Sequence, residues 1–108
     1  MESLAGIVII KLIGSLVFED VLGVSGKVKE IFAEGRNKII IDMSGIFHVN
    51  SKGIGVLISI KVASLFGDRE FILLNLSPDV MKILTTTKLV DVFNIYEGNI
   101  DNAKKMFS

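Results

Sequence analysis

The residues that could do chemistry are grouped around one serine, Ser51, in the stretch from Asp42 to Val56. Ser51 follows one apolar segment and precedes another, and Gly53 and Gly55 lie just after it. If an apolar helix begins here, its first turn offers unpaired backbone N–H groups and the positive end of the helix dipole, and both suit a phosphate. This arrangement makes Ser51 the first candidate for a functional residue.

Ser51 also has a purely structural interpretation, because a serine before an apolar helix commonly caps it by accepting an N–H hydrogen bond. A function is favoured by position, since open α/β folds place ligands at the carboxyl ends of their strands. Gly53 and Gly55 each weaken a helix by about 1 kcal/mol relative to alanine, which suggests that another backbone or molecule comes close. Asp42, at the end of an apolar strand, could orient a neighbouring hydroxyl, although capping of the following loop explains it equally well.

Alternating strands and helices are predicted to position these residues. Apolar, β-branched runs predict strands over residues 7–13, 38–43, 70–75 and 92–96. Apolar residues at spacings of three and four predict a helix over 19–33. Further helices are predicted over about 51–66, in a short segment after Ser77, and from 99 or 101 to about 107. Because helices connect the strands, we expect an α/β domain with a mainly parallel four-stranded sheet and flanking helices.

Two details concern the predicted helices directly. The second helix follows a predicted loop over residues 44–50 and is apolar almost all round, so it is either central or in contact with a partner. The third helix has Ser77 as its cap and Pro78 in its first position, where the missing N–H of proline costs nothing.

The composition excludes several classes of protein. The 108 residues are most simply one domain, 1–108, long enough to bury a core without disulfides or metal. With 12 basic and 12 acidic side chains there is no broad positive field for nucleic acid, which we exclude as a partner. The absence of cysteine excludes thiol catalysis and is compatible with a cytoplasmic location.

Other sites are disfavoured by single observations. The apolar stretch from Leu4 to Phe18 contains Lys11 in its middle, so no membrane association is expected. His48 has no second ligand residue at metal spacing, and no metal site is predicted. Ser51 lacks the Gly-x-Ser-x-Gly elbow of hydrolases, and no glycine-rich phosphate-binding loop of the Walker or dinucleotide type is present. These absences disfavour a hydrolase and a nucleotide-binding protein of either type, and we predict no bound cofactor.

The stretch around Ser51 resembles the signature of the STAS domain, as found in bacterial anti-sigma factor antagonists. The family pattern is hydrophobic-Asp-hydrophobic-Ser, a short loop, and then Asp-Ser-x-Gly-hydrophobic-Gly. The chain is similar to it from Asp42 to Ser44 and from Val49 to Gly55. Further segments resemble the family in the same order, at residues 11–16, 76–80 and 89–93. The resemblance covers nearly the whole chain.

The resemblance implies a switch rather than an enzyme. In the family, the serine that matches Ser51 is phosphorylated by a partner serine kinase, which is also the anti-sigma factor and supplies the ATP. The unphosphorylated protein binds this kinase and frees the sigma factor, and the phosphorylated protein releases the kinase. The resemblance places partner binding at Asn50, Ser51, Lys52, Gly53, Ile54 and Gly55, and Asp42 stays the candidate hydroxyl-orienting residue.

Two departures from the family pattern leave alternatives open. Asn50 stands where the family usually has Asp, which keeps a capping side chain and removes a negative charge. The family's short extra strand at the start is missing or reduced, and an exposed sheet edge could pair with a second copy to form a homodimer. One alternative is a STAS module that is never phosphorylated and acts as a scaffold in a signalling or transport assembly. Another is a small nucleotide- or lipid-binding protein that uses the helix start.

Overall fold

The computed structural model describes residues 3–4, 7–16 and 18–107, with side chains at 7–12 and 25–107. The strands are β1 (Ser3–Leu4), β2 (Ile7–Leu16), β3 (Lys38–Val49), β4 (Glu70–Leu74) and β5 (Ile95–Tyr96). The helices are α1 (Phe18–Ala33), α2 (Ser51–Ser64), α3 (Pro78–Thr86) and α4 (Ile100–Lys104).

The strands form one sheet in the order β1-β2-β3-β4-β5. Strands β2 to β5 are parallel, and a helix connects each to the next. This confirms the predicted α/β class, the four parallel strands and the four helices. An extra strand does precede β2: within the described residues, Ser3 and Leu4 of β1 pair with β2 in antiparallel register.

The core lies on both faces of the central strand β3. Ile39 and Ile41 belong to a large buried cluster that includes residues of α1, α2 and α3. Ile40, on the opposite face, packs in a second cluster with Ala103 of α4. Neighbouring side chains of a strand point to opposite faces, so the unbroken apolar run of β3 is buried from both sides.

The prediction of a loop over residues 44–50 is wrong. Strand β3 continues to Val49, and only Asn50 separates it from α2. The reason is long-range pairing: β2 extends to Leu16, which pairs with Val49, and the buried side chain of Ile46 holds the extension against the core. The backbone of α2 therefore starts directly at the end of a strand.

The fourth parallel strand is shorter than the predicted 92–96. Strand β5 contains only Ile95 and Tyr96, because the Val92 N–H bonds to the Leu89 carbonyl at 2.9 Å and the chain is still turning there. Phe93 leaves this turn to pack edge-on against Phe71, with ring centroids 6.1 Å apart. Its burial belongs to the core rather than to a strand.

Candidate functional site

Asn50, and not Ser51, is the N-cap of α2. Asn50 has an extended backbone, and its Oδ1 accepts a hydrogen bond from the Gly53 N–H at 2.8 Å. Its carbonyl accepts from the Ile54 N–H at 3.0 Å, which is the first bond of the helix. The capping interpretation of Ser51 is therefore wrong, and Asn50 provides the capping side chain expected of it.

Ser51 is exposed in the first turn of α2. Its hydroxyl makes no hydrogen bond within the part of the chain that the structure describes. The first turn contains no acidic side chain, so no carboxylate of the turn itself offsets the positive end of the helix dipole beside this hydroxyl. The arrangement can accept a dianionic group on Ser51 without removing a bond that the fold uses.

Asp42 lies inside β3, paired with Lys11 and Leu74, and is buried with 8% of its surface exposed. Its Oδ1 accepts the Ser44 N–H at 3.0 Å. The register shifts here, because Lys11 faces Asp42 while Ile13 faces Gly45, so the carboxylate satisfies an N–H beside a bulge. Asp42 and Ser51 share no hydrogen bond, and the hydroxyl-orienting role of Asp42 stays a prediction.

The residues after Ser51 divide between surface and interior. Lys52 and Gly55 are exposed, whereas Gly53 and Ile54 are buried. A Cβ atom built on Gly55 would meet nothing within 4 Å, so no contact within the described residues requires glycine there. The predicted partner-binding set thus presents Ser51, Lys52 and Gly55 outwards, and Asn50, Gly53 and Ile54 hold the turn beneath them.

Helix α2 and the two residues that follow it also expose large apolar side chains that the sequence did not assign. Ile58, Val62, Leu65 and Phe66 are 37%, 51%, 67% and 65% exposed, and we call these four residues the α2 stripe. The apolar composition of the helix signalled either a central position or a partner. The structure shows one face of α2 packed into the core and this face open.

The remaining candidates lie apart from Ser51 or form no cluster. His48 is exposed near the end of β3, and no group of three or more metal-binding side chains occurs among the described residues. No helix in the described segments is both long and apolar enough to cross a membrane. An open depression of about 520 Å³ lies at the opposite end of the sheet, lined by Lys38, Gly67, Asp68, Arg69 and Glu70.

The fold and the site define a small parallel α/β domain with an exposed serine at a helix start, on the carboxyl edge of the sheet. The family model of the STAS domain matches residues 1–101. The chain belongs to the STAS domain family, as the resemblance of the Ser51 region indicated.

Three solved structures have the same fold. TM1081 of Thermotoga maritima, assigned as an anti-sigma factor antagonist, has a TM-score of 0.82 and 21% identity, covering 98% of this chain and 91% of its own. The phosphorylated form of SpoIIAA, a Bacillus cell fate determinant, has a TM-score of 0.77 and 21% identity, covering 97% and 94%. A sulfate transporter family protein from Wolinella succinogenes has a TM-score of 0.74 and 16% identity, covering 95% and 85%.

Proposed function

We propose that this protein is an anti-sigma factor antagonist that binds an anti-sigma factor with serine kinase activity and is released from it by phosphorylation of Ser51. The observation that carries the proposal is the exposure of Ser51 in the first turn of α2, with the cap supplied by Asn50 instead. Membership of the STAS family and the likeness to TM1081 and SpoIIAA support the general role.

The chemistry of the switch belongs to the partner, and this chain acts by binding rather than as an enzyme. The Ser51 Oγ attacks the γ-phosphorus of ATP held by the kinase, the hydroxyl loses its proton, and ADP leaves. The resulting phosphoserine carries about −1.5 to −2 charges at neutral pH. At a helix N-terminus such a charge is stabilised by roughly 0.3 to 1 kcal/mol, so the fold of this domain should tolerate it.

Discrimination between the two states then arises at the interface. Phosphate that faces a partner carboxylate or an apolar surface is repelled or desolvated, and the complex weakens. In this proposal the contact surface comprises Ser51, Lys52 and Gly55, positioned by Asn50, Gly53 and Ile54, and Asp42 orients the hydroxyl. The open space beside Gly55 allows a partner backbone to approach the first turn of α2 closely. A cytoplasmic location accords with such a partner.

The decisive experiment is phosphorylation in vitro by each anti-sigma kinase encoded in the same genome. The protein and its Ser51→Ala variant are incubated with ATP, Mg²⁺ and the kinase, and any phosphate is located by mass spectrometry. Phosphate confined to Ser51 and absent from the variant supports the proposal. No modification of Ser51 by any of these kinases contradicts it, and nucleotide retained by the purified protein alone would favour a nucleotide-binding module.

A second candidate function is a STAS scaffold that binds its partner without being phosphorylated. It is favoured by Asn50, which caps α2 without bringing a carboxylate beside Ser51. The likeness to a sulfate transporter family protein is compatible with a role inside a larger assembly. Binding of a partner that is unaffected by ATP or by Ser51→Asp would distinguish this function from the switch.

A further inference from the structure

The α2 stripe lies on the same side of the helix as Ser51. With 3.6 residues per turn, Ser51, Gly55 and the first three residues of the stripe fall within an arc of about 80° on the helix surface, and Phe66 lies in the bend that follows the helix. The residues on the opposite side are buried against the core, among them Leu57, Ile60 and Ser64. Helix α2 therefore has one side fully used by the fold and one side that is apolar and open.

The charges of α2 narrow the kind of partner that this surface fits. The helix carries Lys52 and Lys61 and no acidic side chain. At 3.6 residues per turn, Lys61 lies about 40° from Leu65 around the helix and so borders the stripe. An apolar stripe with a positive border is complementary to an apolar stripe with a negative border.

We propose that the α2 stripe is a docking surface for an amphipathic helix of another protein, bordered by carboxylates, and that this docking is independent of the phosphorylation state of Ser51. The apolar side chains would supply the contact area, as in other complexes in which a helix lies against an apolar surface. A partner carboxylate beside Lys61 would fix the orientation of the incoming helix.

A second copy of this chain fits the surface less well. A symmetric dimer repeats the same contacts on both sides of a two-fold axis, and an axis at Val62 would bring the two Lys61 side chains towards each other. No acidic residue of α2 is available to pair with them. A membrane surface is also disfavoured, because interfacial helices are rich in basic residues and α2 has only these two lysines.

Independence from phosphorylation follows from distance. At 1.5 Å per residue, Val62 and Leu65 lie about 16 and 21 Å along the helix axis from Ser51. Exposed charges are largely screened beyond about 8 to 10 Å at ordinary ionic strength. A phosphate on Ser51 can therefore act on a partner at the first turn of α2 without weakening one at the stripe.

The test uses two stapled helical peptides with leucine along one face, one bordered by glutamate and the other by lysine. Binding to the isotope-labelled full chain is followed by amide chemical shifts and by fluorescence anisotropy. We expect the glutamate peptide to shift the signals of Ile58, Val62 and Leu65 and to bind at least about tenfold more tightly than the lysine peptide. No binding of the glutamate peptide, or equal binding of both peptides, would overturn the proposal.

Variants locate the surface and separate this proposal from the phosphorylation switch. Val62→Asp should lower the affinity for the glutamate peptide at least about tenfold, because the new carboxylate lies among apolar side chains and repels the glutamates. Val92→Asp is the matched control, since Val92 is also apolar and 39% exposed but lies outside α2. Ser51→Asp should leave the peptide affinity within about twofold, since its charge is screened at this distance.

Two further results would overturn the docking proposal while leaving phosphorylation of Ser51 untouched. One is a concentration-dependent dimer that Val62→Asp abolishes, measured by analytical ultracentrifugation. The other is binding of the chain to phosphatidylglycerol vesicles that is lost in Val62→Asp. Unchanged melting temperatures of Val62→Asp and Val92→Asp show that the loss of binding does not come from unfolding.

Discussion

The side-chain Oδ1 of Asn50 accepts a hydrogen bond from the Gly53 N–H at 2.8 Å, and this bond caps α2. Because the capping residue precedes Ser51, the serine hydroxyl contributes no bond to the start of the helix. The stability of the helix and the proposed function of the serine therefore depend on different side chains. Each can be changed separately.

Replacement of Asn50 should show its role as the cap. Asn50→Ala removes the acceptor for the Gly53 N–H and should lower the free energy of unfolding by about 1 kcal/mol. Asn50→Asp keeps an acceptor and adds a negative charge near the positive end of the dipole. Its free energy of unfolding should equal that of the wild type or exceed it by up to about 1 kcal/mol. Urea unfolding at neutral pH, followed by circular dichroism, measures both changes.

Ser51→Ala is the control for this series. It should change the free energy of unfolding by no more than about 0.5 kcal/mol, since it removes no bond that the fold uses. A loss in Ser51→Ala that exceeds the loss in Asn50→Ala would mean that the serine is the cap after all.

Gly55→Ala should separate folding from partner binding. An added Cβ meets nothing within 4 Å, and alanine is favoured over glycine in a helix by about 1 kcal/mol, so the variant should be more stable. If a partner lies close to the first turn of α2, the same methyl group should weaken the complex with the proposed anti-sigma kinase. Thermal unfolding and calorimetric titration with the kinase measure the two effects.

Gly26→Ala is the matched control for Gly55. Gly26 is an exposed glycine inside α1, and a Cβ there also meets nothing within 4 Å. The Gly26→Ala variant should gain a similar amount of stability, and its affinity for the proposed kinase should not change. Equal affinity of both variants for the kinase would count against a partner at Gly55.

The sequence predicted the class of fold because the apolar pattern within a segment is sufficient to identify a buried strand or an amphipathic helix. It failed where pairing with a distant strand decides the structure. Gly45 and Ser44 favour a loop locally, yet β3 continues through them because β2 supplies a partner as far as Leu16. The extent of a strand beside a bulge depends on its neighbour, and one segment alone does not contain that information.

The candidate site was predicted in part for a similar reason. Ser51 was identified from its position between an apolar strand and an apolar helix, and the structure places it at the helix start. The cap was ambiguous, because Asn50 and Ser51 are both good capping residues and the boundary of the helix differs by a single position. The α2 stripe could not be predicted from the sequence, since an apolar helix does not reveal which of its faces the core will cover.

Asn75 should contribute to stability through two bonds to one glycine. Its Nδ2 donates to the Gly98 carbonyl at 2.9 Å and its Oδ1 accepts the Gly98 N–H at 2.8 Å. Its φ of 56° lies in the left-handed region, where a Cβ costs roughly 1 to 2 kcal/mol unless local bonds compensate. Asn75→Ala removes these bonds while keeping a Cβ, so it should lower the free energy of unfolding by about 1 to 3 kcal/mol.

Two variants divide this effect into its parts. Asn75→Gly removes the bonds but relieves the backbone, so it should be less damaging than Asn75→Ala. Asn94→Ala, at an exposed asparagine whose side chain makes no hydrogen bond among the described residues, should change stability by no more than about 0.5 kcal/mol. Urea unfolding of the three variants checks this order of stability. A free energy of unfolding for Asn75→Ala as high as that for Asn94→Ala would contradict the prediction.

Ser51→Asp tests whether the phosphate acts at the interface or on the fold. An added carboxylate at this position faces the positive end of α2, where the first turn contains no acidic side chain, so the melting temperature should stay equal or rise slightly. Affinity for the proposed anti-sigma kinase should fall by at least about tenfold, because the charge is desolvated or repelled in the complex. Ser51→Ala should bind like the wild type and accept no phosphate. A large drop in melting temperature for Ser51→Asp with kinase binding intact would show that the charge acts on the fold, and the proposed switch would fail.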